Sequence, residues 1–208
     1  MQDQDAIRTL ESADLSPENP IILFQQWLKM AESSEINDPN AMCLATIDPN
    51  GRPSARIVLL KAMDEHGFVF FTNRESRKGE ALGSHPDAAL CFHWKSLGRQ
   101  VRIEGRVSMI ADPESDEYYN SRPRGSRIGA WASRQSRPLE NRSTLVNRVA
   151  ELEKTYSGDT PIPRPPHWGG YRLEPDYIEF WHDGAFRLHT RLIYKKIGNG
   201  WERSMLYP

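Results

Sequence analysis

The feature that most confines this chain is a tight turn. Asn50-Gly51 stands between two segments of mixed apolar and polar residues, AMCLATID (41–48) and PSARIVLLKAMD (53–64). Asn-Gly accepts the left-handed backbone of a short hairpin loop, so the two segments are expected to pair antiparallel. The same texture recurs further along. GFVFFTN (67–73) follows a turn at Glu65-His66-Gly67, and DAALCFHW (87–94) and RQVRIEGRVSMI (99–110) flank Ser96-Leu97-Gly98. GGYRLEP (169–175) and DYIEFWHD (176–183) precede FRLHTRLIYKKI (186–197), which Gly198-Asn199-Gly200 joins to GWERSML (200–206). This makes roughly seven or eight short strands, mostly in hairpins. Helices are inserted among them: one opens at Asn19-Pro20, and residues 112–157 hold two more, the first from Asp112-Pro113-Glu114 and the second over 141–154. Without strict strand–helix alternation a doubly wound parallel sheet is excluded. The expected fold is mainly β with peripheral helices, an antiparallel barrel. Residues 1–18 are expected to form a flexible acidic arm and residues 19–208 a single domain.

Charge narrows the function. The 208 residues carry 27 basic and 28 acidic groups, so the chain as a whole does not coat polyanions. The average hides an asymmetry: residues 1–51 are net −7 and residues 52–142 net +5, and 20 of the 27 cations are Arg. A guanidinium binds phosphate or carboxylate through two parallel hydrogen bonds, which makes phosphorylated small molecules or nucleic acid the first candidates, with surface ion pairs as the alternative. Cys43 and Cys91 have no framework spacing and are expected to be reduced and buried. MQDQDAIRTLESADL lacks the apolar core of a secretory leader, and no run approaches the ~20 apolar residues that span a bilayer. A cytoplasmic protein without a membrane partner is expected. Dinucleotide, phosphate-loop and nucleophile-elbow motifs are absent, as is zinc-ligand spacing among the six His, so no metal is expected. Any catalysis should then rest on an organic cofactor.

Five groups of residues carry chemistry. In RIVLLK (56–61) two cations bracket four aliphatics; alternation puts Arg56 and Lys61 on opposite faces unless the strand bends, and a core strand with charged ends is the alternative. FFTNRESRKG (70–79) ends a strand and starts a helix, where hydroxyls, Arg77, Lys78 and free N–H groups suit a phosphate monoester; a capped helix with solvated cations would look the same. Gln100, Arg102, Glu104 and Arg106 share a strand face that reads as an exposed ion-pair ladder or a subunit contact. Tyr118 and Arg122, one helical turn apart, converge with Ser126 on a single anion or else belong to a surface helix. In FRLHTR (186–191), Arg187, His189 and Arg191 alternate on one strand face about 6.6 Å apart, with Leu188 toward the core. Two guanidiniums flanking an imidazole are best explained by a flat anionic ligand.

Together these motifs resemble the pyridoxamine/pyridoxine 5′-phosphate oxidase family. WGGYRLEP…IEFWHDGAFRLHTR looks like its C-terminal signature, and RIVLLK, FFTNRESRKG, GRQVRIEG, EYYNSRPRGSRIGAWAS and the pair QS follow the family's order. The likeness runs from about residue 40 to the end of the sequence. It implies a split β-barrel homodimer with FMN at the subunit interface. The implied reaction oxidises pyridoxamine 5′-phosphate or pyridoxine 5′-phosphate to pyridoxal 5′-phosphate, with dioxygen reduced to hydrogen peroxide. FMN would be held by Arg56, Ile57, Val58, Leu59, Leu60, Lys61, Phe71, Thr72, Arg77, Lys78, Gln100, Gln135, Ser136, Trp181 and Arg191. The substrate phosphate would meet Lys61, Tyr118, Arg122 and Ser126. Arg187, Leu188 and His189 would hold the pyridine ring, with Arg187 and His189 in the catalytic roles.

The rivals are a related FMN oxidase acting on another substrate such as a phenazine precursor, a non-catalytic flavin- or haem-binding split barrel, and a nucleic-acid binder. The Tyr118/Arg122/Ser126 group argues against the first, the Arg187/His189 pair against the second, and the near-neutral net charge against the third. The family usually has an acidic residue or Asn between the signature His and its last Arg; here Thr190 stands there. By alternation Thr190 faces away from the ligand side, so it bears on local rigidity. Thr190→Asp is expected to raise the thermal midpoint and leave kcat within about twofold; a large gain in kcat would overturn that assignment.

Overall fold

The computed structural model describes residues 17–208; apart from Pro17 and Glu18, the expected acidic arm lies outside the described residues. Helix α1 (Pro20–Ser34) starts where Asn19 Oδ1 accepts the Ile21 N–H at 2.9 Å and Pro20 supplies a preset first turn. The strands β1 (Ala41–Ile47), β2 (Pro53–Leu59), β3 (Ala62–Asp64), β4 (Gly67–Asn73), β5 (Asp87–Trp94), β6 (Arg99–Met109), β7 (Trp168–His182), β8 (Thr190–Ile197) and β9 (Gly200–Leu206) form one sheet. Its order is β2-β1-β5-β6-β7-β4-β3, with β8 on β7 and β9 on β8, and the strand pairs are antiparallel.

The branch at β7 splits the barrel. Its first half pairs with β4 from Trp168 to Leu173, and its second half pairs with β8 from Tyr177 to His182. Strand β6 follows both halves, slipping register between Glu104 and Gly105. Side chains on the inner face meet the apolar stripe of α1. Phe24 packs edge-on against Phe68 and Phe92 at 4.9 Å, and Trp27 against Phe180 at 5.2 Å. Leu23, Phe24 and Trp27 are essentially inaccessible, so this helix closes the core.

Four features differ from the sequence-based expectation. The segment 53–64 breaks at Leu60-Lys61 into β2 and β3. Residues 112–157 form three helices, α3 (Asp112–Ser121), α4 (Arg124–Ala132) and α5 (Arg142–Thr155), because Pro123 forces Arg122 out of helical backbone (φ −74°, ψ 148°). The short α2 (Arg77–Ser84) begins where the sequence places a helix start, but the expected strands 169–175 and 176–183 run on as the single strand β7. Strand β8 begins only at Thr190. Residues 185–187 form a single tight turn in which Phe186 and Arg187 both have left-handed backbone (φ 58° and 65°). Arg187, His189 and Arg191 therefore do not alternate on one strand, and Leu188 is 51% exposed rather than core.

Gly105 marks a close backbone approach at the branch. A Cβ there would overlap the Glu174 carbonyl oxygen, and backbone cannot yield as a flexible side chain can. Gly105→Ala is expected to destabilise by at least about 2 kcal/mol in urea unfolding. Gly83→Ala, at an open position inside α2, should instead stabilise by about 0.5–1 kcal/mol. Equal effects at the two sites would refute the close approach.

Candidate active site

Strand β4 delivers Phe71, Thr72 and Asn73 to the start of α2. Asn73 Oδ1 accepts the Glu75 N–H at 2.7 Å, and Ser76 Oγ caps the helix by accepting from Gly79 at 3.3 Å. This turn folds Lys78 back over the strand end. Its Nζ donates to Thr72 Oγ1 and Gln135 Oε1, both at 3.1 Å, and to no carboxylate. Burial, and then the charge of Arg56, hold the Lys78 ammonium below the usual lysine range.

The opposite wall comes from α3 and α4. Tyr118 stacks on Phe71 with centroids 4.0 Å apart, and both rings lie nearly parallel to Trp168, at 6.1 and 5.3 Å. The Arg122 guanidinium sits 4.7 Å over the Trp168 ring, its Nη1 is buried without a hydrogen-bond partner, and burial lowers its pKa. Between the walls is a cleft of about 500 Å³. Lys61, Lys78 and Arg122 line it with Ile57, Val58, Leu59, Tyr118, Ser126 and Gln135, and among the described residues the lining contains no carboxylate. Desolvated cations without counter-charge are costly, and an anionic ligand offsets that cost. The cleft is built for phosphate-like groups.

Of the residues singled out in the sequence, Ile57, Val58, Leu59, Lys61, Phe71, Thr72, Lys78, Tyr118, Arg122, Ser126 and Gln135 meet in this cleft. Arg56 does not line it. As alternation required, it points back across β1, donating to Leu44 O, Thr46 Oγ1 and Ser54 Oγ at 2.9 Å each. Leu60 is in the core, Arg77 is exposed within 3.7 Å of Asp48, and Ser136 occupies a left-handed turn beside Gln135.

A second group assembles on the outer face of the sheet. Gln100, Trp181 and Arg191 lie in one row across β6, β7 and β8, and the His189 ring lies 4.6 Å from that of Trp181. Glu179, 2% exposed, holds Arg191 through two hydrogen bonds of 2.7 and 3.1 Å. Arg102 reaches Glu104 at 2.9 Å and Glu179 at 3.5 Å, so part of the expected ion-pair ladder exists. His189 Nδ1 lies 3.0 Å from Asp183 Oδ1 and 3.2 Å from the Gly184 N–H. A bare Nδ1 accepts from Gly184, and a protonated one donates to Asp183. Arg187 is exposed on the neighbouring turn. None of this second group lines the cleft of its own chain.

Trp168, Asn73, Gly129, Ala130 and Ser133 also line the cleft but were not singled out in the sequence. The signal for Trp168 was present in its WGG context. A Cβ on Gly169 would overlap the Arg74 guanidinium, and one on Gly170 would meet Ile110 and Phe71, so the two glycines let the strand carrying Trp168 pack tightly.

The split barrel and its carboxylate-free cationic cleft define a class of protein that takes phosphorylated ligands. The family model described as pyridoxamine 5′-phosphate oxidase matches residues 29–156, and that of the pyridoxine 5′-phosphate oxidase C-terminal dimerisation region matches residues 168–208. The chain belongs to the pyridoxamine 5′-phosphate oxidase family. It is 55% identical over 203 residues to the pyridoxine/pyridoxamine 5′-phosphate oxidase of Agrobacterium fabrum, covering 96% of this chain and 98% of that protein. The Brucella canis protein of the same name is 57% identical over 192 residues, covering 91% and 94%. Among solved structures, PhzG from Burkholderia lata in complex with tetrahydrophenazine-1-carboxylic acid superposes with a TM-score of 0.87 at 35% identity, covering 94% and 95%. An FMN-binding, pyridoxamine 5′-phosphate oxidase-related protein from Nostoc punctiforme shares the fold, with a TM-score of 0.72 at 19% identity over 94% and 99%.

The electrostatics of Lys78 give a test whose sign is fixed. Its lowered pKa means that the charged form destabilises the ligand-free fold, and this penalty is present at neutral pH and fades as pH rises through the depressed value. Lys78→Met is therefore expected to raise the thermal midpoint of the ligand-free protein at pH 7. It should also weaken inorganic phosphate binding by about tenfold or more. A lower midpoint with phosphate affinity intact would contradict this account.

Proposed function

We propose that this protein is an FMN-dependent oxidase that converts pyridoxamine 5′-phosphate and pyridoxine 5′-phosphate to pyridoxal 5′-phosphate. The observation that carries this reading is the cleft with three cations and no carboxylate. Lys78 and Arg122 share no hydrogen-bond partner and stand among different side chains, Thr72 and Gln135 for one and Trp168 for the other. They form two stations for two phosphates, one on the cofactor and one on the substrate. The residues present fit FMN: Lys78 and Thr72 would take its phosphate, and Ile57, Val58 and Leu59 would flank the rest.

When bound, FMN supplies two-electron redox chemistry at the carbon that becomes the aldehyde of pyridoxal 5′-phosphate. The chain's own task is orientation. Lys61, Tyr118, Arg122 and Ser126 hold the substrate phosphate, so binding energy remote from the reacting carbon becomes alignment. Arg187 restrains the pyridine ring. His189 hydrogen-bonds the substrate through Nε2, with its ring oriented by Gly184 and Asp183, which both lie within reach of Nδ1.

The protein is a homodimer, and the dimerisation region of residues 168–208 includes Trp181, Arg187, His189 and Arg191. In this reading the second group of one subunit completes the cleft of the other, with FMN between them. The absence of that group from the cleft of its own chain supports the arrangement. Dioxygen is the electron acceptor, giving hydrogen peroxide. Residues 19–208 act as one domain, which the single sheet supports. No helix among the described residues is long and apolar enough to cross a membrane, and the cytoplasm is the proposed location, supported by free Cys43 and Cys91. A phenazine-type substrate is the second reading, favoured by the likeness to PhzG. The ligand of that structure is named as a carboxylic acid, and the two cationic stations here favour the phosphorylated substrate instead.

The purified protein is expected to be yellow, and under anaerobic conditions pyridoxine 5′-phosphate should bleach it; a colourless or unbleached protein overturns the reading. Arg187→Ala and His189→Ala should each retain FMN and lose at least about 100-fold in turnover. Wild-type turnover in both would remove these residues from the site.

A further inference from the structure

Arg122 is held in an unusual way. Among the described residues it has no salt-bridge partner, and its guanidinium lies against flat aromatic faces, 4.7 Å from the Trp168 centroid and 6.0 Å from that of Tyr119. A carboxylate would have oriented the guanidinium too, but it would also have neutralised the charge and competed with an incoming phosphate. An aromatic face attracts the cation through its quadrupole and leaves the N–H donors free. The buried, unpartnered Nη1 is what such a clamp leaves behind.

The Trp168 ring is itself fixed from several sides. It is 7% exposed, nearly parallel to Phe71 (13°) and Tyr118 (12°), and edge-on to Tyr119 at 5.2 Å. Its backbone is tied at both groups: the N–H donates to Pro165 O at 3.0 Å, and the carbonyl accepts from Arg164 Nη1 at 2.7 Å. Arg164 also grips α3 through Asp112 at 2.9 Å and Asp116 at 2.6 Å. The strand that presents Trp168 and the helix that presents Tyr118 and leads to Arg122 are thus locked to each other.

We propose that Trp168 is a positioning residue for the substrate phosphate: its ring sets the plane of the Arg122 guanidinium without neutralising it, so that the donors Arg122 turns to the cleft stay free for a phosphate oxygen. This rests on the reading of the cleft in which Arg122 receives that phosphate. Trp168 acts through Arg122, so its loss should be felt only by ligands that carry the phosphate.

The experiment titrates FMN-loaded Trp168→Leu, Trp168→Phe, Arg122→Ala and the Arg122→Ala/Trp168→Leu double variant with pyridoxal 5′-phosphate and with pyridoxal, reading the flavin spectrum. Trp168→Leu is expected to weaken pyridoxal 5′-phosphate binding about tenfold, with Trp168→Phe recovering most of the loss. Pyridoxal affinity should stay within about twofold, and adding Trp168→Leu to Arg122→Ala should cost less than about twofold more. Equal weakening for pyridoxal, or a full additive loss in the double variant, reduces Trp168 to a structural role and overturns the proposal. Should Trp168→Leu fail to fold, the same comparisons are made with Trp168→Phe, whose smaller ring predicts a smaller but still phosphate-specific loss. If Arg122→Ala weakens pyridoxal 5′-phosphate but Trp168→Leu does not, the positioning role alone falls. If Arg122→Ala has no effect, the phosphate reading of the cleft falls with it.

Discussion

Strand β7 is the constraint on which the rest of the molecule depends. A strand has two hydrogen-bonding edges, and β6 takes one of them along both halves of β7. The other edge is shared: β4 claims it up to Leu173 and β8 from Tyr177 onward. Pro175, which has no N–H to donate, falls in the gap between them, where the loss is harmless. The register slip at Gly105 lets β6 follow the change. One end of β7 therefore supplies Trp168 to the cationic cleft, and the other supplies Trp181 to the outer face. A single continuous strand thus divides the candidate site residues into two groups, the second of which does not line the cleft of its own chain.

That division explains what the sequence made legible. Hairpin signals such as Asn50-Gly51 are local, and they placed β1, β2, β5 and β6 correctly because a single left-handed glycine, Gly51 in one turn and Gly98 in the other, decides where the chain reverses. The break at Pro123 was equally local, yet the charged helical texture on both sides masked it. The continuity of β7 through Pro175 was hidden because a proline ordinarily ends a strand, and only the exchange of partners makes it tolerable. The turn at Phe186-Arg187 was invisible for a different reason. Two consecutive non-glycine residues with left-handed backbone are rare enough that alternation is the better expectation for Arg187, Leu188 and His189.

Within the site, Arg56 and Lys61 end on different sides, as alternation expected, but by another route: Arg56 turns toward β1 from within β2, while Lys61 enters the cleft from the break that ends the strand. Family likeness assigns Gln100 to the cofactor where alternation read an exposed ladder or subunit contact, and Gln100 stands in the row with Trp181 and Arg191. Neither route singled out Trp168. A buried aromatic next to two glycines reads first as packing, and its contact with Arg122 spans residues far apart in sequence.

The two groups also use charge differently. Arg191 is neutralised by the buried Glu179 and further tied to the Tyr207 carbonyl at 3.1 Å. It presents oriented donors with little net charge, which suits a polar but uncharged ring edge. Lys78 and Arg122 are partly desolvated, unpaired with acid among the described residues and oriented by hydroxyls, amides or aromatic faces, which suits dianions. The near-zero formal charge of the whole chain therefore conceals a deliberate separation. Carboxylates are placed where an arginine must be aimed, and withheld where a cation must attract. It is the withholding, in a cleft with no acidic lining residue, that makes phosphate the chemical handle of this site.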